Sequence, residues 1–199
     1  MFIHIENFHQ NADQFAQIIN GLEFTAATFG DEIQNFNHTP PEVLGTLEKI
    51  VGMELKYGEG SGVFRKPHEF IHYENFGPNS VYVGFVALED NNFKILKNKE
   101  TNSNFILEIS TNIEEFIKNN CFDATKWDTV ADIQLQKGNL LLIQPFQFHK
   151  LEKKLVQVFY LERKNPLQKE TTDQSVVEEN PKESVVSEDK PKKGRKKKL

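Results

Sequence analysis

Between Gly62 and Leu161 the chain is cut into short runs of β-branched and aromatic residues, with Gly, Pro and Asn between them. This punctuation constrains the fold more than any other feature. The runs at 62–65, 69–74, 81–88, 93–96, 105–109, 140–143 and 155–161 have the length of strands and fall short of an ordinary helix. Residues 2–5 predict an opening strand. Two helical segments lie ahead of the punctuated stretch. After Asn11, residues Phe15, Ile18, Ile19 and Leu22 recur at helical spacing and predict a helix ending near Gly21. Pro40 and Pro41 suit the first turn of a second helix, with Val43, Leu44, Leu47 and Ile50 inward and a stop at Gly52. The quartet Thr111-Asn112-Ile113-Glu114 has the form of a capping box and predicts a short helix through Ile117. Helices followed by many short strands, with few crossover helices, predict an α+β architecture around an antiparallel sandwich or barrel.

The pattern stops at Lys164. An apolar share of 38% is low for a globular chain, but the deficit sits in residues 165–199, so residues 1–164 can bury a core of their own. Phenylalanine, with 17 copies, supplies much of it. The 165–199 tail is polar, charged and punctuated by Pro166, Pro181 and Pro191, and is predicted to be disordered. Charge divides the chain further. Residues 1–164 carry a balance of −7 and residues 165–189 one of −5, whereas the last ten residues hold seven Lys or Arg and no acid. A body of that sign is not a nucleic-acid-binding surface. The basic residues between Lys190 and Lys198 can attract nucleic acid or an acidic partner. Cys121 is the single cysteine, so no internal disulfide forms. The N-terminal residues lack a secretion pattern, and no apolar run approaches the roughly 20 residues that span a bilayer. A reducing, cytoplasmic compartment and no membrane are the expectation.

His72 and Glu74 stand two apart in Phe70-Ile71-His72-Tyr73-Glu74. On a strand such residues share a face, so both can reach one ion. His149 follows Gly138, an apolar run and Pro145-Phe146-Gln147-Phe148, an arrangement suited to delivering an imidazole into a barrel mouth. Two histidines and one carboxylate on one face leave three coordination positions open, which suits non-haem Fe(II). The His-x-acid pattern is cheap on its own: His4-Ile5-Glu6 repeats it and is read as incidental. A cupin-type set would add His68, but four residues separate it from His72 where that pattern has two histidines one residue apart.

On these residues the chain resembles the 2-oxoglutarate/Fe(II)-dependent dioxygenases, in particular their small prolyl-hydroxylase-like branch. The matching stretches are 70–74, 81–89 and 138–145 leading to His149, with the opening residues 3–8 and the helix after them. It is also similar to small proteins of large tailed phages of marine bacteria around 62–67, 70–74, 86–89 and 148–149. The resemblance covers most of residues 1–162 and none of the tail. It implies a double-stranded β-helix (a jelly-roll, cupin-like barrel) with N-terminal helices, Fe(II) held by His72, Glu74 and His149, and 2-oxoglutarate as cosubstrate. Two departures stand out. Glu74 replaces the usual Asp, and the stretch Leu155-Val156-Gln157-Val158-Phe159-Tyr160 carries no Lys or Arg where the family places its cosubstrate clamp. Arg65 or Lys66 is the expected replacement, with Tyr82 and Gln157 as further cosubstrate contacts. The competing expectation is a non-catalytic accessory or structural barrel that engages DNA or a partner through its basic tail.

Overall fold

The computed structural model describes residues 2–74, 77, 79–109 and 112–165. In chain order its elements are β1 (Phe2–Ile5), α1 (Ala12–Asn20), β2 (Thr25–Ala27), β3 (Gly30–Asn37), α2 (Pro41–Val51), β4 (Leu55–Tyr57), β5 (Val63–Pro67), β6 (Ser80–Ala87), β7 (Asn91–Asn98), α3 (Ile113–Asn120), β8 (Trp127–Leu135), β9 (Leu140–Ile143), β10 (His149–Leu151) and β11 (Val156–Arg163). Eight strands form one antiparallel sheet in the order β1-β9-β6-β11-β5-β3-β2, with β4 also paired to β11. A smaller sheet runs β10-β7-β8.

Strand parity sorts the side chains. On the large sheet Val63, Val83, Phe85, Ala87, Leu141, Ile143, Val156, Val158 and Tyr160 face the small sheet, whose Phe93, Ile95, Ile133, Leu135 and Leu151 meet them. The opposite face, with Phe64, Val86, Leu140, Leu142, Phe159 and Leu161, packs on Ala16 and Ile19 of α1 and Leu47 of α2. A third cluster joins α3 to the end of the barrel through Phe116, Cys121, Trp127 and Phe148. Both faces of the large sheet are therefore covered, which explains why β9 reads Leu-Leu-Leu-Ile without alternation.

The helices follow the expected signals. The first ends at Gly21, and the second begins after Pro40 and closes at Gly52, which has the left-handed φ of 70° that favours glycine. In α3 the cap is the Asn112 side chain, which accepts from the Glu114 and Glu115 amides; Thr111 lies outside the described residues.

Two expected strands differ. Residues 105–109 form a 3₁₀ turn at Ile106–Glu108 with a single bridge, Phe105 to Gln147. The apolar residues buried there are Ile106 and Ile109, three apart, while Leu107 is 70% exposed, and that spacing belongs to a helical turn. Residues 69–74 form no strand, with a bend at 69–70 and one isolated bridge, His72 to His149. Strands β2, β3, β4, β8 and β10 were not anticipated. In β3 Ile33 is the one buried apolar side chain, so its polar sequence carries little strand signal. The tail, residues 166–199, lies outside the described residues.

Candidate metal centre

Backbone pairing creates the site. His72 and His149 stand directly opposite, the His72 amide donating to the His149 carbonyl at 3.0 Å and the His149 amide to the His72 carbonyl at 2.9 Å. Their imidazoles consequently share one face, with ring centroids 4.4 Å apart. The Phe146 amide donates to the Glu74 carbonyl at 2.9 Å, which brings the carboxylate to the same spot. Phe85 and Phe93 flank His149, at 5.3 and 5.2 Å between centroids, the Phe93 ring lying parallel to it.

The three side chains converge. The Nε2 atoms of His72 and His149 lie 3.7 and 3.8 Å from Glu74 Oε1, and all three residues are buried. Each imidazole turns its Nδ1 to a backbone carbonyl, His72 to Phe70 at 3.1 Å and His149 to Gln147 at 2.9 Å. A carbonyl oxygen cannot donate, so Nδ1 carries the proton and Nε2 keeps its lone pair. Among the described residues neither Nε2 has a hydrogen-bond partner, a costly arrangement for a buried polar atom. Backbone-anchored imidazoles with both lone pairs aimed at a carboxylate form the donor set of a metal site. The 3.7 and 3.8 Å separations lie within the span of two bonds of about 2.0–2.2 Å to one ion. These residues fit a first-row divalent cation.

Arg65, 2% exposed, lies behind Glu74. Its Nε donates to Glu32 Oε1 at 2.6 Å, one Nη to Glu74 Oε1 at 2.7 Å and the other to the Tyr160 hydroxyl at 2.7 Å. Tyr160 in turn donates to Glu74 Oε2 at 2.6 Å. Register explains the cluster: Glu32 on β3, Arg65 on β5 and Val156 on β11 are successive cross-strand neighbours, and Tyr160 lies four residues along on the same face. Burial alone raises the Glu74 pKa, but the adjacent Arg65 guanidinium outweighs it and holds the carboxyl well below its usual range. Burial and then Glu74 push the Tyr160 phenol well up. Burial, reinforced by His72, lowers the His149 pKa and keeps the ring neutral, the form that binds a metal. With Arg65 protonated and both carboxylates ionised, the cluster carries one net negative charge. A divalent cation turns that to plus one, and a dianionic ligand returns it to minus one.

Of the other expected site residues, the structure brings Arg65 to the triad and leaves Lys66, Tyr82 and Gln157 on the opposite face of the large sheet. Lys66 lies over the Phe24 ring at 4.4 Å, and Tyr82 packs with the helix-covered core. Gln157 donates to the His38 carbonyl at 2.9 Å. Parity is the reason, since each is one residue out of step with an inward neighbour. His68 stacks on Phe70 and stands outside the group of converging ligands. Glu32, Tyr160 and Phe29 were not anticipated. Phe29, on the turn between β2 and β3, stacks on the His72 ring at 5.6 Å and carries the Arg65 guanidinium over its face at 5.2 Å. Gly30 beside it packs so closely on β5 that a methyl group there would run into the Lys66 carbonyl.

Two predictions arise from these contacts. Tyr160→Phe removes a donor from Glu74 and an acceptor from Arg65 in a dry site, so chemical denaturation should show a loss of about 1–3 kcal/mol. Acid should also destabilise the metal-free protein in two stages. A histidine whose pKa is depressed by folding gives stability that is lost as pH falls below its ordinary 6.5, and a depressed carboxyl gives stability lost as pH falls below 4.5. The melting temperature should fall monotonically from pH 7 to 5 and more steeply below 4.5; a flat profile would contradict both assignments.

No family model matches the chain, and no curated protein matches it. Solved structures do. HygX from Streptomyces hygroscopicus with nickel, 2-oxoglutarate and hygromycin B bound is 14% identical over 82% of each chain, with a TM-score of 0.52. The same protein with nickel and 2-oxoglutarate gives 14% identity over 82% of this chain and 83% of that one, at 0.51. At that identity the likeness concerns the fold. The chain has the α+β double-stranded β-helix architecture with N-terminal helices, and a two-histidine, one-carboxylate cluster lies inside its barrel.

Proposed function

We propose that the protein is an Fe(II)- and 2-oxoglutarate-dependent dioxygenase that hydroxylates a small metabolite or a protein side chain. One observation carries the reading: two buried, backbone-anchored imidazoles leave their Nε2 atoms unpaired and aimed at a buried carboxylate. A purely structural barrel has no use for that cost. The sequence resemblance to the prolyl-hydroxylase-like branch supports the same class.

His72, Glu74 and His149 would hold the iron, which, when bound with 2-oxoglutarate and O2, supplies the oxidising chemistry. Arg65 supplies charge for the cosubstrate. Three of the five N–H donors of a guanidinium are taken by Glu32, Glu74 and Tyr160. Two remain, and a cleft of ≈ 270 Å³ of mixed lining, with Glu32, Asn35, Asn37 and Tyr160 beside Phe29, Ile33 and Val63, borders Arg65. Tyr160 orients Glu74, and the phenylalanines around His149 exclude water. Among the described residues no helix is long and apolar enough to cross a membrane. We place the chain in the cytoplasm. The basic residues between Lys190 and Lys198, outside the described residues, are assigned to contact with nucleic acid or an acidic partner.

Turnover of 2-oxoglutarate tests the reading. With Fe(II) and O2, succinate should form above the metal-free blank. His72→Ala should lower the rate by more than the roughly 10–100-fold that loss of an outer partner of a metal ligand costs. Succinate formation that the variant leaves unchanged would refute the assignment.

A further inference from the structure

A second cleft touches the triad at His72, and Arg65 is not among its described lining residues. This cleft, of ≈ 490 Å³, is lined by Phe29, Phe70, His72, Tyr73, Ile117 and Phe122, among others. We propose that this cleft binds the substrate to be oxidised, and that the substrate is a small molecule presenting an uncharged, ring-bearing apolar group to His72. The proposal rests on the triad being a catalytic iron centre.

Position is the first argument. The cleft floor includes His72 itself, so a group seated there lies against a metal ligand. Its volume falls in the roughly 300–1,000 Å³ range of small-molecule sites. The lining chemistry is the second. Among the described residues that line it, which add Thr28, Ile71 and Cys121 to those named, there is no Asp, Glu, Lys or Arg. Burial pushes the Cys121 thiol up to about 11, so it supplies no anion. A charged or heavily hydroxylated group would lose its water there and find few partners beyond the Thr28 and Tyr73 hydroxyls.

Aromatic geometry is the third argument. Phe122 and Phe70 lie 5.2 Å apart, Phe70 and His72 5.7 Å edge-on, and His72 and Phe29 5.6 Å stacked. These rings lead from the mouth to the metal ligands at the spacing that ring–ring contacts prefer. Phe122 is 70% exposed, an unfavourable position for a phenylalanine unless something covers it. Phe29 lines both this cleft and the one bordering Arg65. A dianion is thus directed to Arg65 and an apolar ring to His72.

The test uses the full chain loaded with Mn(II) and the neutral fluorophore N-phenyl-1-naphthylamine. Fluorescence should rise saturably, and 1-naphthol should displace the probe at least tenfold more effectively than naphthalene-1-sulfonate, which differs in charge. Phe122→Ser, at an exposed position that keeps the fold, should weaken the probe about three- to tenfold, the range of one lost aromatic contact. Mn(II) should broaden the proton resonances of the bound probe, and His149→Ala should remove the broadening. Equal displacement by the sulfonate, no saturable binding, or bound Mn(II) without broadening would overturn the substrate assignment alone. Mn(II) that stays free by electron paramagnetic resonance would instead sink the metal-centre reading, and this proposal with it.

Discussion

At a hundredfold excess over its dissociation constant, Mn(II) should raise the melting temperature of the wild-type protein by about 5–10 °C, and His149→Ala should abolish the rise. The magnitude follows from linkage: about 2.7 kcal/mol of stabilisation at that excess, at roughly 2–4 °C per kcal/mol for a domain of this size. The metal-free variant should remain folded. Removing an imidazole that is 0% exposed between Phe85 and Phe93 leaves a cavity. It also removes a buried Nε2 that has no partner. The two effects oppose one another, so the net loss should stay below the about 3–5 kcal/mol of a buried phenylalanine truncation. Differential scanning fluorimetry with and without the ion reads both quantities. An equal rise in variant and wild type would place the ion elsewhere.

Arg65→Met should be the most damaging substitution in the metal-free protein, costing about 3–5 kcal/mol, because it leaves buried carboxylates without their cation. Glu74 is 1% exposed and loses its cation, keeping only the Tyr160 hydroxyl as donor, while Glu32, less buried, regains some water. Two controls separate charge from packing. Glu74→Gln on the Arg65→Met background should recover part of the loss, since it removes the stranded charge. Mn(II) should stabilise Arg65→Met by more than wild type, because the ion then supplies the compensation that Arg65 had given. Additive losses and an unchanged response to the ion would show that the arginine acts through packing alone.

The triad was legible because its logic is local. His72 and Glu74 share a face through a spacing of two, and an apolar run with a turn delivers His149. The strands β2 and β3 were not, because Asp31, Glu32, Gln34, Asn35 and Asn37 give no alternating apolar signal; that hairpin is held by its register against β5. Its concealment hid Glu32 and Phe29 as well. Strand β8 could have been found, since Ala131, Ile133 and Leu135 alternate with Asp132 and Gln134 and the latter two of the three are buried. Tyr160 was also within reach. It shares parity with Val156 and Val158, and a hydroxyl on an otherwise apolar inward face marks a buried polar contact. The same parity turns Gln157 away, just as Arg65 turns in and Lys66 out. A search for a basic residue in that stretch overlooked the tyrosine that holds Arg65 and Glu74 together.

In the proposed function His72, Glu74 and His149 hold iron to which 2-oxoglutarate binds. An anaerobic titration with Fe(II) and then 2-oxoglutarate, followed by visible absorption, tests it most directly. A saturable charge-transfer band should appear with one equivalent of each and be absent in His149→Ala. A flat titration with protein that is folded and Fe(II)-replete would contradict it.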